Sequence, residues 1–453
     1  MEWEQRETES PGEKEVSSGG LFGVRLPEGV LARAAACAVE LRRELHRWPE
    51  TGNQEFKTAE RIERELSELG IPWRRVLDTG IVGVIENRGG QASETAGADL
   101  SEGQDGRAAG CVALRADIDA LPVQETLRLS FASERPGLMH ACGHDVHTAV
   151  LLGTARALLL CRDLWRGAVT LIFQPAEETS GGALRMIRAG CLGGEKGSWA
   201  APFFIPRADF VFGLHVKPEL PGGTVGIRYG VVHAASDGFR ISVRGQKAHG
   251  ASPHQGIDAL VAAAQVVMNL QTVVSRRWDP VDGAVVSIGK IRGGTAPNVL
   301  ADLVELEGTL RCLPGGRSAG SGKEAPALRA LLRDRVEEAA RSAAAAAGGQ
   351  AEVNWDSGYA ALVNGNAGCR LVQEAAWEAL GKEQVRLLDR PSMGVEDFAY
   401  YLQERPGAFF FLGSGFPGRE NPGLHSGEFH VNEECISAGI AVEGALVLRL
   451  LGL

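Results

Sequence analysis

Apolar positions along the chain recur with a helical period near the start. Leu41, Leu45 and Trp48 fall at i, i+4 and i+7, and Pro49 stops the run. Ala59, Ile62, Leu66 and Leu69 repeat the spacing, and Gly70 fits the position just past a helix end. Short apolar runs follow as strands: Cys111 to Leu114, Ala168 to Phe173 and Phe210 to Leu214, with a helix over Val146 to Leu160 between the first two. Strands alternating with helices predict a mostly parallel sheet, with chemistry at the carboxyl ends of its strands.

The middle of the chain has a different pattern. Phe239 to Val243 alternates like a strand with one exposed face. A helix over Ile257 to Val274 follows, then strands over Ala284 to Ile291 and Leu303 to Leu313. A long Ala/Arg/Glu helix over Ala325 to Ala346 and a short strand over Ala351 to Trp355 complete the set. That order, β-α-β-β-α-β, is the split βαβ or ferredoxin-like unit. The fold expected is therefore an α/β domain over 29–233 and 359–453, interrupted by an α+β unit at 234–358. Residues 1–28 read as a disordered acidic tail. The polar tract 88–110, a second stretch at 193–207 and the tract from Pro314 read as surface insertions or loops.

Composition narrows the function classes. Hydrophobic residues make up 44% and charged residues 23% of 453, an ordinary globular balance with enough chain for a sizeable core. The net charge of −10 argues against nucleic acid, which needs basic patches to neutralise phosphates. No apolar run reaches the roughly 18–20 residues a membrane helix needs. The N-terminus is Glu-rich without an apolar core, unlike a secretory signal. Eight scattered cysteines with no CxxC pair suit a reducing compartment, so a cytoplasmic protein is expected.

Candidate chemistry lies at the strand ends. The chain has 10 histidines, and His140, His144 and His147 share the stretch MHACGHDVH with Cys142. Imidazole, thiolate and carboxylate donors in one short segment are the mix that divalent metals of the zinc type prefer. The next strand ends in Glu177 and Glu178. Adjacent carboxylates repel unless a cation lies beside them, so one suits metal ligation and the other proton transfer from a bound water. A bare Glu-Glu pair is more often a solvated loop, and a lone histidine such as His215 or His425 is more often a hydrogen-bonded structural residue. Their recurrence after successive strands is what sets this group apart.

Taken in order, RADIDALP, MHACGHDVH, FQPAEE, the Gly-Leu-His at 213–215, KAHGASPH, TAPN, SMGVEDF and LHSGEF resemble the M20 peptidases. The resemblance covers about 30 to 440 and is strongest to the amidohydrolase branch, subfamily D. That branch includes hippurate hydrolases, N-acyl-amino-acid amidohydrolases and plant auxin–amino-acid conjugate hydrolases.

The resemblance implies a catalytic α/β domain of the metal-dependent exopeptidase type with an inserted ferredoxin-like lid. It implies two divalent ions, Mn or Zn, held by Cys142, His144, Glu178, His215 and His425. Glu177 becomes the general base, and Asp117 orients the site from behind. Arg115 stands where other branches place a metal-binding histidine, while His140 and His147 are not family ligands. From the lid, His249 reaches the scissile carbonyl, in some members across a dimer, and Asn298 and Arg311 hold the substrate carboxylate. The implied reaction is hydrolysis of an N-acyl amino acid, with a homodimer through the lid as partner and no membrane or nucleic acid. A dipeptidase or aminopeptidase, or a catalytically silent relative, are the alternatives. Val395 in SMGVEDF and Gly250 in KAHGASPH depart from the commoner Ser and Ala.

Overall fold

The computed structural model describes residues 25–88, 110–194, 203–314 and 325–453. Helices α1 (Glu28–Arg47) and α2 (Phe56–Glu68) lead into strands β1 (Trp73–Val76), β2 (Gly80–Asn87) and β3 (Cys111–Asp117). Then come α3 (His144–Leu160), β4 (Gly167–Gln174), α4 (Glu177–Ser180), α5 (Gly182–Arg188), β5 (Phe210–Pro221), β6 (Val225–Ile227) and β7 (Gly230–His233). The inserted segment runs β8 (Ala235–Arg244), α6 (Ala259–Arg277), β9 (Ala284–Gly293), β10 (Leu303–Cys312), α7 (Ala325–Ala346) and β11 (Gln350–Ser357). The chain closes with β12 (Leu362–Asn364), α8 (Asn366–Leu380), β13 (Val385–Leu387), α9 (Ala399–Glu404), β14 (Gly407–Gly415) and α10 (Glu434–Leu451).

The large sheet has the order β1-β2-β4-β3-β5-β14-β6-β13. Its centre, β4-β3-β5-β14, is parallel, and antiparallel pairs enter on both sides at β2-β4 and β14-β6. All eight residues of β4 and all nine of β14 are buried, because helices cover both faces. On one face α1, α3, α8 and α10 share a core with Leu41, Val150, Phe212, Cys369 and Ile440. On the other, α5 and α9 pack Met186 and Tyr401 against Ile172, Phe409 and Phe398. This is a three-layer α/β/α arrangement, and it leaves the carboxyl ends of β3 and β4 together beside the middle of β5.

The inserted segment forms a separate four-stranded antiparallel sheet, β11-β8-β10-β9, with α6 and α7 on one face. Strand β8 alternates buried and less buried positions, and Phe239, Ile241 and Val243 meet Val266, Leu270, Leu332 and Val336 from the helices. Strand β9 lies at the sheet edge.

Residues 1–24 of the expected tail lie outside the described residues, as do 89–109 and 195–202 of the insertions and 315–324 of the loop after Pro314. Leu26 is buried and α1 starts at Glu28, so the ordered chain begins before residue 29. In the second insertion Ile205 is buried and Phe204 is exposed. The antiparallel hairpin β1-β2 and strand β13 escaped the apolar pattern, because β1 and β13 are short and carry arginines. No helix among the described residues is long and apolar enough to cross a membrane.

Candidate metal centre

The loops after β3 and β4, the middle of β5 and the loop after β14 meet the start of α3 at one edge of the large sheet. Asp117 and Asp119 come from the β3 end, Glu177 and Glu178 from the β4 end, and His215 from β5. His425 arrives on the loop after β14. Cys142 and His144 flank Gly143, whose φ of 82° is left-handed and whose Cβ, were there one, would meet Val216 Cγ2 at 2.5 Å. Only glycine lets the chain turn here tightly enough to present a thiol and an imidazole to the same point. His425 itself holds φ 64°, and its backbone N–H donates to Ala141 O at 2.8 Å. A non-glycine residue in that region costs energy, and such strain concentrates at functional sites.

The donor atoms form overlapping groups. Those of Cys142, His144 and His215 lie within 4.8 Å of one another, as do those of Cys142, Glu178 and His425, and of His144, Glu177 and Glu178. Cys142 Sγ is 3.3 Å from His215 Nε2, and His425 Nε2 is 3.0 Å from Glu178 Oε1. Metal bonds of about 2.3 Å to sulfur and 2.0 Å to nitrogen put neighbouring ligands at separations of this order.

Two imidazoles are turned to offer a lone pair. His215 Nδ1 donates to Val216 O at 2.7 Å, which leaves Nε2 free toward Cys142. His144 Nδ1 faces Asp119 Oδ1 at 3.2 Å, while its buried Nε2 finds no hydrogen-bond partner. Imidazoles that bind metals are commonly fixed in this way, by a carbonyl or carboxylate on the opposite nitrogen. His147 is different: Nδ1 meets Asp117 Oδ1 at 2.5 Å and Nε2 accepts the Val216 N–H at 2.9 Å, so both ring nitrogens are occupied. His140 is buried with neither nitrogen partnered, and burial pushes it down to about 3.

Charge points the same way. Burial, then Glu396, Asp397 and Glu178, push the Glu177 carboxyl well above its usual range. Burial and Glu178 do the same to the Cys142 thiol. Burial opposes charge on His144, but Asp117 and Asp119 outweigh it and raise the ring to about 10. The patch thus carries an excess of buried negative charge that divalent cations would neutralise, deprotonating the thiol and displacing the imidazole proton. By donor type, orphaned lone pair and charge, these residues fit a metal site.

Arg115 is the fixed cation behind it. Fully buried, it donates Nη1 to Asp117 Oδ2 at 2.6 Å, Nη2 to Glu396 Oε1 at 3.1 Å and Asp397 Oδ1 at 2.9 Å, and Nε to Gln174 Oε1 at 2.9 Å. Asp117 joins this guanidinium to His147 and lies 3.7 Å from His144 Nε2, which places it behind the cluster.

A cavity of about 860 Å³ opens over the cluster, lined by Cys142, Glu177, Glu178, His215 and His425, and also by Arg311 from β10. Arg311 Nη1 donates to Met393 O at 2.5 Å. His249 and Asn298 are not in that lining. They lie together on the exposed lid surface, joined by the Gly250 N–H to Asn298 O bond of 2.8 Å and the His249–Val299 bridge. Tyr359, just past β11, lines the cavity and donates its hydroxyl to Glu177 O at 2.5 Å. His233 lines it as well, against the edges of Phe409 and Phe411. Neither carried a sequence signal, since a lone Tyr or His outside a motif is mute. Glu396 and Asp397 stood within SMGVEDF, where their acidity was the available clue.

Residues 113–449 match the family model described as Peptidase family M20/M25/M40. The chain belongs to peptidase family M20. The N-acetyl-L-cysteine deacetylase of Bacillus subtilis is 39% identical over 83% of this chain and 80% of its own. The Arabidopsis thaliana IAA-amino acid hydrolase ILR1-like 4 is 34% identical, covering 91% of this chain and 85% of its own. The crystal structure of the Bacillus subtilis YXEP protein, described as a dinuclear metal binding peptidase from the M20 family, superposes with a TM-score of 0.71 at 33% identity. It covers 93% of this chain and 99% of that one. With such relatives, this M20 protein is a metal-dependent hydrolase of amide bonds.

Proposed function

We propose that the protein cleaves N-acyl amino acids to a carboxylate and a free amino acid. One observation carries the reading: Arg311 shares a cavity with the Cys/His/Glu cluster. A guanidinium fork suits both oxygens of a free carboxylate, and its place in the same cavity would hold the scissile amide near the cluster. Deacetylase and auxin-conjugate hydrolase relatives support the same substrate class.

Cys142, His144, Glu178, His215 and His425 would hold two divalent ions, with Cys142 common to two of the donor groups. Zn suits the thiolate and imidazoles, and Mn is the other candidate. Such ions supply Lewis acidity, which polarises a carbonyl and lowers the pKa of water from 15.7 toward about 7. Glu177, next to Glu178 at the start of α4 and lining the cavity, takes the proton of the attacking water and returns it to the leaving amine nitrogen. Asp117 and Asp119 hold the imidazoles in place.

His249 completes the site from a second copy of the chain. Residues 234–358 act as the lid, and its edge strand β9 exposes Ile291 while α6 exposes Met268, at 57% and 70%. An open strand edge with apolar neighbours is a pairing surface. A homodimer through it brings His249 and Asn298 of one copy toward the other's cavity, where the imidazole donates to the carbonyl oxygen. Eight unpaired cysteines suit a cytoplasmic setting.

The test is amine release by metal-loaded protein from N-acetyl, N-benzoyl and indole-acetyl amino acids, their C-terminal amides, and free dipeptides. The reading expects acyl amino acids to be cleaved and their amides to be cleaved roughly 10–100-fold less well, the loss of a charge-assisted contact. Dipeptides as the preferred substrates would overturn it.

A further inference from the structure

Glu55 is a buried carboxylate with no cationic partner among its hydrogen bonds. Its side chain is fully enclosed, Oε2 accepts the Thr79 hydroxyl at 2.7 Å, and Oε1 accepts the backbone N–H of Ala176 at 2.9 Å. Enclosing a carboxylate among neutral donors is unfavourable, and burial indeed raises its pKa. The contact it makes in return lies one residue before Glu177.

Ala176 occupies the left-handed region, with φ 56° and ψ 42°, although it has a Cβ. That conformation turns the chain sharply from β4 into the short helix α4, whose first residue is Glu177. Gly52 completes the pocket: a Cβ there would lie 2.2 Å from Thr179 Oγ1 and 3.1 Å from Ala176 Cα. Just beyond the turn, Glu177 O accepts the Tyr359 hydroxyl. An alanine held in this region relaxes toward an ordinary conformation unless its surroundings fix it.

We infer that Glu55 is a positioning residue of the hydrolytic reaction: its carboxylate pins the left-handed Ala176 and so aims the Glu177 side chain into the cavity. This rests on the reading of Glu177 as the base. Glu55 belongs to the loop before α2, contacts none of the five candidate metal ligands, and acts through the backbone alone. What matters is the acceptor oxygen, not the charge. Glutamine should therefore substitute, its carbonyl accepting from Ala176 and its amide donating to Thr79 Oγ1.

The experiment compares Glu55→Gln, Glu55→Ala, and Glu55→Ala combined with Ala176→Gly, each metal-loaded, against wild type and Glu177→Gln. Metal content, kcat, KM and hydrogen exchange of the 174–181 segment are measured. Glycine adopts the left-handed region without strain, so it should hold the turn without the pin. Expected are a kcat for Glu55→Gln within a few-fold of wild type and a roughly 10–100-fold loss in Glu55→Ala, the size of a misplaced catalytic group. KM and metal content should stay near wild type, exchange at 174–181 should quicken in Glu55→Ala, and the added glycine should recover most of the kcat. The inference is overturned by a Glu55→Ala kcat within two-fold of wild type, or by a loss that neither glutamine nor glycine repairs. Full turnover in Glu177→Gln would instead remove the base assignment, whatever the Glu55 variants do.

Discussion

Replacing Arg115 with leucine removes the single guanidinium that meets Asp117, Glu396 and Asp397, at 2.6, 3.1 and 2.9 Å, in a site where no partner is more than 4% exposed. Breaking a buried ion pair from one side costs about 3–5 kcal/mol, because the remaining charge is left unpaired. That is a large part of the 5–15 kcal/mol by which a domain is usually stable. The cost depends on pH in a definite direction. Burial, opposed by Arg115, already holds Glu396 at about 8 and Asp397 at about 6 in the wild type. These folded values exceed the unfolded ones, so stability from these groups is present at low pH and is lost as pH rises from about 4 through the folded values of about 6 and 8. Without Arg115 both carboxyls hold their protons more tightly and the loss is steeper. Urea denaturation of metal-free wild type and Arg115→Leu at pH 5, 6, 7 and 8 should therefore show a gap that widens with pH. Arg115→Lys should fall between them, since an ammonium supplies charge but not a fork that reaches all partners at once. A gap of the same size at pH 5 and pH 8 would mean that Arg115 matters only as packing, and the charge argument for this part of the site would fail.

Glu177→Gln should keep its metal and its fold but lose turnover by at least the ~10²–10⁴ of a positioned general base; near-normal kcat in a fully loaded variant would dismiss it. Mixing Glu177→Gln with His249→Ala, each inactive alone, should restore about a quarter of wild-type activity if His249 works across a dimer, because hybrids contain one intact site; no recovery on subunit exchange would put His249 in its own chain's site or outside the chemistry. Glu443 lies buried in α10 with Thr154 Oγ1 as its partner at 2.8 Å, and burial raises it to about 8. Wild type thus loses stability as pH rises from about 4.5 to 8, at most about 1.4 kcal/mol per pH unit, and Glu443→Gln should gain on it across that window; a pH-independent difference in urea midpoints would contradict this.

Much of this was legible from local pattern. The helix over 325–346 and the strands at 111–117 and 167–174 announce themselves because burial on one stripe or on both faces writes a period or an unbroken apolar run. Cys142, His144, Glu177 and Glu178 stood out as candidates because imidazole, thiol and carboxylate groups cluster there in short segments beside strand ends. Contacts between distant segments were not. Glu55 reaches Ala176 across 121 positions, and Tyr359 reaches Glu177 across 182. Nothing in the local residue types records either pairing. The left-handed Ala176 was hidden for a related reason: alanine does not advertise that conformation as glycine does, and tertiary contacts impose it. His249 and Asn298 were singled out by resemblance, but that neither lines the cavity of its own chain appears only in the folded structure.

Metal analysis of purified wild type and Cys142→Ser, with amine release from an N-acetyl amino acid followed as metal is added back to chelated protein, tests the central claim most directly. A shared thiolate ligand predicts about two ions per wild-type chain, activity that rises in step with loading, and a Cys142→Ser variant that folds but binds metal weakly, because a hydroxyl stays protonated where a thiolate would coordinate. Full activity in chelated protein, or a Cys142→Ser variant that loads metal like the wild type, would contradict the account.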